Sequence, residues 1–564
     1  MCLRVRRLRG DCRGITGAIF ALTAAVLLGV AALATEVGLW YLGRMQAYAA
    51  ADAAALAGAA ALANGADPDT AKNVANDVAL LNGFDNGTNA VRGHIAGASS
   101  ATVNAHSPPN TGGYTRDLTA VEVDITADFP PVISALFHAA DIDVGARAVA
   151  NLQQIGFACA LSLAGDMAIG VNVNADVVRA CFIASNATDA SAITVSSGVT
   201  VSGSGISTRG DCVHCPAVDP LWGSVDPETG IGLFRPPASF QPPTTDPLSG
   251  IPGSLSNSFG SQIACPQAGT NLQYNGVQPT LDPNTHCPST PVPVTITGTM
   301  PPTQPDPGNS TITSACGTNY AGTCAYYNMI ITIASAVTMQ PGAYLLLNSS
   351  LEITSAATVI CYATNINLGN TNNQCAQYPA TLGSGVTIIL ASTGDTGVNT
   401  TGRLYIELGA SVNLAASASP AYPPGQGEAS LLNGVLFYRD PNTQPPDTAV
   451  NPAVVIEDAA NLGGGPSLML QGLMYFPGAT AWVAANATVG AGVDASGTAY
   501  NLYCSVPIAG TLNLAYFNGQ NIITGGQFTP GLQSNWINLD YSCPPYGPGS
   551  INPAPQVQAV RLVE

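Results

Sequence analysis

Between Ile15 and Ala34 the chain runs for twenty residues without a charge, directly after a basic opening of Arg4, Arg6, Arg7, Arg9 and Arg13. At about 1.5 Å of rise per residue, a helix of that length spans a hydrocarbon core of roughly 30 Å. Glu36 and the aromatic pair Trp40-Tyr41 follow. Arginines before the span and an aromatic edge after it orient such a helix with its N-terminus in the cytoplasm. The expectation is a basic cytoplasmic segment over 1–14, a transmembrane helix over 15–41, and an exported remainder. A cleaved signal peptide is the competing reading, because Ala32-Leu33-Ala34 fits a small-x-small cleavage site. Retention is favoured because the apolar run exceeds a usual signal core. A helical pattern also continues past the site at Leu42, Met45, Ala49, Ala53, Leu56, Ala60 and Ala63.

The 564-residue chain is too long for one core, so several domains are expected. Its net charge of −18 is lopsided: the residues after Met45 hold 32 Asp and Glu against 10 Lys and Arg, with Lys72 the single lysine. That excludes a basic nucleic-acid footprint and suits a soluble extracytoplasmic body. Of the 14 cysteines, Cys2 and Cys12 precede the span, and the other twelve form an even set in a compartment where disulfides persist. Sequence neighbours suggest the pairs Cys159–Cys181, Cys265–Cys287, Cys316–Cys324, Cys361–Cys375 and Cys504–Cys543, with Cys212 and Cys215 completing the set; spacing alone does not determine connectivity.

The helix is expected to stop at Asn64-Gly65, and Asp67-Pro68 to start a second one with buried positions Ala71, Val74, Ala75, Val78 and Leu81, closed by Asn82-Gly83. From Ala120 the period becomes two. Val121, Val123 and Ile125 alternate with Glu122, Asp124 and Thr126, and a second run follows at Ile142, Val144, Ala146 and Ala148. A helix and a small antiparallel sheet over 42–152 make a pilin-like α+β domain.

From Phe157 short strands recur between Ser, Gly and Asn turns: Ile193-Thr-Val, Val199-Thr-Val, Gly205-Ile-Ser. Units this short need stacking to bury a core. Later strand starts near Leu345, Ile366, Val386 and Leu404 lie 18 to 21 residues apart, which suits coils of a parallel β-helix better than the turn spacing of a β-sandwich. The fold class is therefore mostly β with an N-terminal transmembrane α-helix, a pilin-like segment and a right-handed parallel β-helix. First solenoid coils are placed at 153–211 and the main solenoid at 309–545, with a C-terminal tail at 546–564. Between Cys212 and Pro307 lie 19 of the 42 prolines, a density that defeats central strands. Residues 212–308 are accordingly expected to be an irregular excursion.

The order of a basic run, Gly17-Ala-Ile-Phe-Ala-Leu, Glu36-Val-Gly-Leu-Trp-Tyr and Ala51-Asp-Ala-Ala-Ala-Leu-Ala-Gly resembles the N-terminal segment of TadG-like (TadE/G-like) Flp pilus-assembly proteins. The family's usual residue at position 36 is an acid, which Glu36 satisfies. At lower specificity, Cys159-Ala-Leu-Ser-Leu, Asp219-Pro-Leu, Pro341-Gly-Ala-Tyr, Gly434-Val-Leu-Phe-Tyr-Arg-Asp and Gly472-Leu-Met-Tyr-Phe-Pro-Gly are similar to blocks in long TadG-like chains. The resemblance implies a non-enzymatic inner-membrane protein of the Flp (tight-adherence) pilus apparatus. Its bulk would be periplasmic, and its partners other assembly proteins or pilin-like subunits. Glu36, Ala49, Ala53, Gly58 and Ala60 are the residues expected to anchor or pack that helix, since small faces let a partner backbone approach closely.

The remaining constellations point to no catalytic, cofactor or metal site. Cys212-Val-His214-Cys215 reads as a disulfide in an oxidising space before it reads as half a zinc site completed by Cys265, His286 or Cys287, or as a redox pair. Glu352, Glu407 and Glu457-Asp458 are the acids a membrane-anchored β-helix enzyme or binding module acting on polysaccharide would use, which is the alternative function. Strands stacked about 4.8 Å apart bring such acids together by chance. His94, His106 and His138 are isolated, and Gly463-Gly464-Gly465 lacks the Lys-Ser/Thr of a phosphate loop.

Overall fold

The computed structural model describes residues 13–85, 100–131, 142–163, 169–171, 174–177, 181–196, 201–202, 205–216, 237–249, 251, 291–300, 326–340, 342–361, 385–392, 402–407, 409–416, 432, 434–441, 443, 453–456, 468–484, 504–515, 536–541 and 555–563. The protein is mostly β with a long apolar helix at its N-terminus, and it divides into two compact units. One comprises Met1–Gln153 with Ala559–Glu564, the other Gln154–Gln558.

In the first unit, α1 runs unbroken through Arg13–Ala63. It ends as its sequence dictates. Gly65 takes φ +86°, Gly65 N–H donates to Leu62 O and Ala66 N–H to Ala61 O, the two bonds of a Schellman stop. Asp67 then caps α2 (Pro68–Leu81), its Oδ1 accepting from Asp69 and Thr70 N–H with proline in the first turn. The same stop recurs at Gly83, where Phe84 N–H donates to Ala79 O and the Phe84 ring is buried. The buried stripe of α2 is Ala71, Ala75 and Ala79. Leu81, expected to be part of it, is 85% exposed: it is the last residue of the helix before the stop.

A three-stranded antiparallel sheet completes this unit: β1 (Ser100–His106), β2 (Ala120–Phe129) and the first part of β3 (Ile142–Ser162), with β2 in the centre. Val121, Val123, Ile125, Ala127 and Phe129 alternate onto the face that meets the alanines of α1 and α2. β1 carries no aromatic and a single β-branched apolar residue, Val103, so sequence periodicity did not announce it; Ala101 and Val103 nonetheless complete the core.

In the second unit nearly all pairing is parallel and skips along the chain. β14 (Gly342–Leu347) pairs with β17 (Val386–Ala391) and β17 with β20 (Val435–Arg439). β15 (Ser350–Ile353) pairs with β18 (Leu404–Ile406), then β21 (Val454–Ile456). β16 (Thr358–Cys361) pairs with β19 (Ser411–Ala415), then the start of β22 (Leu468–Ala484). Each strand thus meets the strand three places on. The expected 18-to-21-residue repeat mixes two such rows. Leu345 pairs with Ile389 in one row, whereas Leu404 pairs with Leu351 in another. Ile366 lies outside the described residues.

Earlier strands follow the same rule: β3 with β6 (Cys181–Ser185) and β9 (Gly205–Thr208), β4 (Ile169–Val171) with β7 (Ile193–Val195) and β10 (Cys212–Val213), and β5 (Asn174–Val177) with β8 (Val201–Ser202). They join the later set at β23 (Cys504–Ala515), which pairs with β22 on one side and with β3 and β4 on the other. β24 (Trp536–Tyr541) lies antiparallel to β23 and parallel to β5. Late strands therefore neighbour early ones.

Inside these rows lies a dry core, with Ile169, Ile193, Ile331, Ile353, Leu390, Leu404, Ile456 and Leu512 among its members. A second apolar layer, including Leu161, Phe182, Leu345, Ile389, Tyr438 and Tyr475, is covered by Leu248, Leu432 and Val557. The Pro-rich region is not wholly irregular. β11 (Val292–Met300) is a strand parallel to β13 (Met329–Met339). Its Pro293 is accommodated because, among the described residues, β11 pairs on one side only.

Candidate functional site

The Tad-like segment is the feature with functional content, and its two halves differ. From Ile19 to Leu33 the large apolar residues Ile19, Phe20, Leu22, Val26, Leu27, Leu28, Val30 and Leu33 are all more than half exposed and point in every direction around α1. A helix apolar on all sides has no solvated face to offer water and suits lipid. From Ile19 onward α1 is long and apolar enough to cross a membrane once.

The C-terminal half is bound to its own unit by a stripe of small residues: Gly43, Ala47, Ala50, Ala51, Ala54, Ala55, Gly58 and Ala59, all buried. A Cβ on Gly43 would overlap the Phe129 ring. A Cβ on Gly58 would lie 2.9 Å from Val121 Cγ1 and 3.2 Å from both Ala71 O and Ala75 Cβ. Of the residues expected to pack, Gly58 is therefore at the contact with the sheet, whereas Ala49 is exposed and Ala53 and Ala60 are half-buried. Leu42 and Met45, on the same stripe as Ala49, are 45% and 53% exposed. On the side of α1 that the sequence pattern marked, Leu42, Met45 and Ala49 are open, whereas Leu56 packs partly against the core. Glu36 is 2% exposed and precedes Gly43 by two helical turns, on the sheet-facing line. Near the other side, Arg44 lies 5.5 Å over the Tyr48 ring and donates to its hydroxyl at 3.3 Å.

Glu122 is one of the polar residues that alternate with the apolar positions of β2. It is fully buried, because the 107–119 loop folds over it. Its carboxylate accepts from Asn110 N–H at 2.5 Å, Thr111 Oγ1 at 2.6 Å and Arg147 Nε at 2.6 Å, while Arg147 also donates to Thr111 O. Burial alone would raise the Glu122 pKa, but these bonds outweigh it and hold the group below its ordinary range. Asp124, two residues on, is shifted upward by burial and then by the Glu122 charge, with Arg147 and His106 opposing. No alternation rule could find this cluster, since the loop that buries it contributes backbone N–H groups and one hydroxyl, Thr111 Oγ1.

In the second unit Cys159 and Cys181 form a disulfide, and so do Cys212 and Cys215. Cys265, Cys287, Cys316, Cys324, Cys375 and Cys543 lie outside the described residues, as do the side chains of Cys361 and Cys504. Of the acids weighed for carbohydrate chemistry, Glu352 stacks in register with Tyr405. Glu407 is engaged in accepting Ser355 N–H at 2.7 Å, and Glu457 and Asp458 are outside the described residues. The Gly434 block holds the largest buried polar side chain. Arg439, 1% exposed, occupies a row with Leu346 and Leu390 and donates to Gly402 O and Thr443 O, beside a buried Asp440. Among the described residues no cluster of His, Cys, Asp and Glu could hold a metal ion.

These features define a chain whose N-terminal helix is of membrane-crossing length and whose second half is docked through alanine and glycine onto a small antiparallel sheet. Residues 14–61 match the model of the Tad family, described as Flp pilus-assembly TadE/G-like, so this segment is similar to a Tad domain. Comparison with curated proteins and with solved structures returned no match.

Proposed function

We propose that the protein is a non-enzymatic, membrane-anchored structural component of the Flp (Tad) pilus assembly apparatus, with its bulk on the periplasmic side of the inner membrane. The observation that carries this reading is the coincidence of the Tad match over 14–61 with one unbroken helix. Its first half is bare apolar surface and its second half is a built foundation for the first unit. The arginines before the span orient the N-terminus toward the cytoplasm. Open residues Leu42, Met45 and Ala49 supply an apolar stripe for a helix of another assembly protein or pilin-like subunit. The second unit is read as a parallel β-helix acting as a spacer body. Support comes from the three-place skip in parallel pairing and from the buried apolar core that the rows share.

Deletion of the chain in the bacterium that encodes it should abolish surface pili while leaving the pilin synthesised. A photo-crosslinker at Ala49 should capture a membrane protein of the same apparatus. Normal piliation of the deletion strain would overturn the reading. N-terminal sequencing of membrane-extracted protein tests the anchor directly, and a start at Thr35 would be incompatible with it.

A further inference from the structure

The two disulfides joining described residues differ in what governs exchange. Cys159 and Cys181 are fully buried, lie on paired strands β3 and β6, and are 22 residues apart. Cys212 and Cys215 are 3 apart and only partly buried, and His214 between them is exposed. The longer link constrains the unfolded chain far more than the four-residue ring does. The ring's surroundings are also held without its S–S bond. Cys212 and Val213 pair with Ile193 and Thr194 of β7, Asp211 N–H donates to Asp189 O, and Asp211 Oδ1 accepts from Cys212 N–H and Ser239 Oγ. Inside the ring His214 sits at φ 55°, a left-handed region that a residue bearing a Cβ occupies at a cost. Exposed, locally closed disulfides are the labile ones, and buried cross-strand ones resist reduction.

We propose that Cys212 and Cys215 form a thiol–disulfide exchange site whose substrates are accessible thiols, either a protein dithiol or a small thiol. An incoming thiolate attacks one ring sulfur. The S–S electron pair departs on the other sulfur, which takes a proton from water. A second substrate thiol then attacks the mixed disulfide and releases the bound cysteine. Two substrate thiols become one disulfide, and Cys212 and Cys215 become two thiols; exchange with another disulfide reverses the step.

The test uses the full chain in detergent, equilibrated in graded reduced/oxidised glutathione buffers, alkylated, and mapped by peptide mass spectrometry, with hydrogen exchange followed in parallel. Cys212 and Cys215 should be reduced at a reduced-to-oxidised ratio at least about tenfold lower than Cys159 and Cys181, with unchanged exchange protection of β3, β6 and β7. A reduced two-cysteine peptide should emerge oxidised in equal amount, and Cys215→Ala should hold glutathione on Cys212. Reduction of both pairs together, or labelling of Cys212 and Cys215 only on unfolding, overturns the proposal. So does reduction that leaves the dithiol peptide unoxidised. The wild-type titration decides alone if the alanine variant does not fold.

Discussion

Gly58 separates the buried side of α1 from the open side, and replacing it tests that division. In Gly58→Leu the first added carbon already meets Val121 Cγ1 at 2.9 Å and the Ala71 carbonyl at 3.2 Å, and a backbone carbonyl inside a neighbouring helix cannot retreat. Overpacking of this kind costs about 1–3 kcal/mol. Leucine regains about 0.8 kcal/mol of helix propensity over glycine, leaving a net loss of about 0.2–2.2 kcal/mol. For a unit of this size that corresponds to a drop of up to roughly 9 °C in its melting temperature. Hydrogen exchange on the full-length protein in detergent should show loss of protection in α2 and β2. Ala49→Leu is the matched control. Ala49 is exposed, so the same added bulk should leave protection unchanged while reducing capture of a partner helix. The reasoning fails if Gly58→Leu keeps wild-type protection in Pro68–Leu81, or if Ala49→Leu loses it equally.

Glu122→Gln should destabilise the first unit by about 1.5–3 kcal/mol, the range for hydrogen bonds to charged groups, as read by exchange in the 107–119 loop. The folded pKa of Glu122 lies below its unfolded value, so its contribution is complete above the unfolded value of about 4.5 and is lost as pH falls through the folded one; wild type should show this acid-side loss and the Gln variant a shallower one. Asp124 acts in the opposite sense, its raised pKa adding a penalty that grows as pH rises through it, and removing the Glu122 charge should lower that pKa in an NMR titration. Arg439→Met should cost about 1–3 kcal/mol for each carbonyl left without its donor, seen as a lower urea midpoint for the second unit. The double variant Cys159→Ala, Cys181→Ala should lose about 3 kcal/mol through the freed unfolded chain; an unchanged midpoint would remove the structural role assigned to that link.

Much of the first unit was legible because its signals are local. Asn64-Gly65, Asp67-Pro68 and Asn82-Gly83 stop and start helices through bonds that reach no more than five residues, and the structure places each of them as read. Ala120–Phe129 and the run from Ile142 announced themselves by period two. The residues expected to pack divide between two sides of α1, Gly58 meeting the sheet and Ala49 lying open. A poly-alanine helix offers small residues on every side, so the stripe through Ala49 and Ala53 and the stripe through Ala47 and Ala54 are equally good patterns. What selects between them is the position of Phe129 and Val121, which no helical wheel contains. The burial of Glu122 was not legible for the same reason, since its cover comes from a loop whose side chains carry no apolar signal.

In the second unit the sequence by itself determined that short strands would be bounded by turns and would need stacking to bury a core. It did not determine their partners. β14 meets β17 and not β15, and β23 meets β3 and β4 from some 340 residues earlier. Strand composition is set by nearest neighbours in the chain, whereas parallel pairing joins segments whose separation leaves no trace in either one. Only the tertiary structure decided which apolar rows stack, and with them which acid is buried, which cysteine ring is open and which side of the anchor helix is left uncovered.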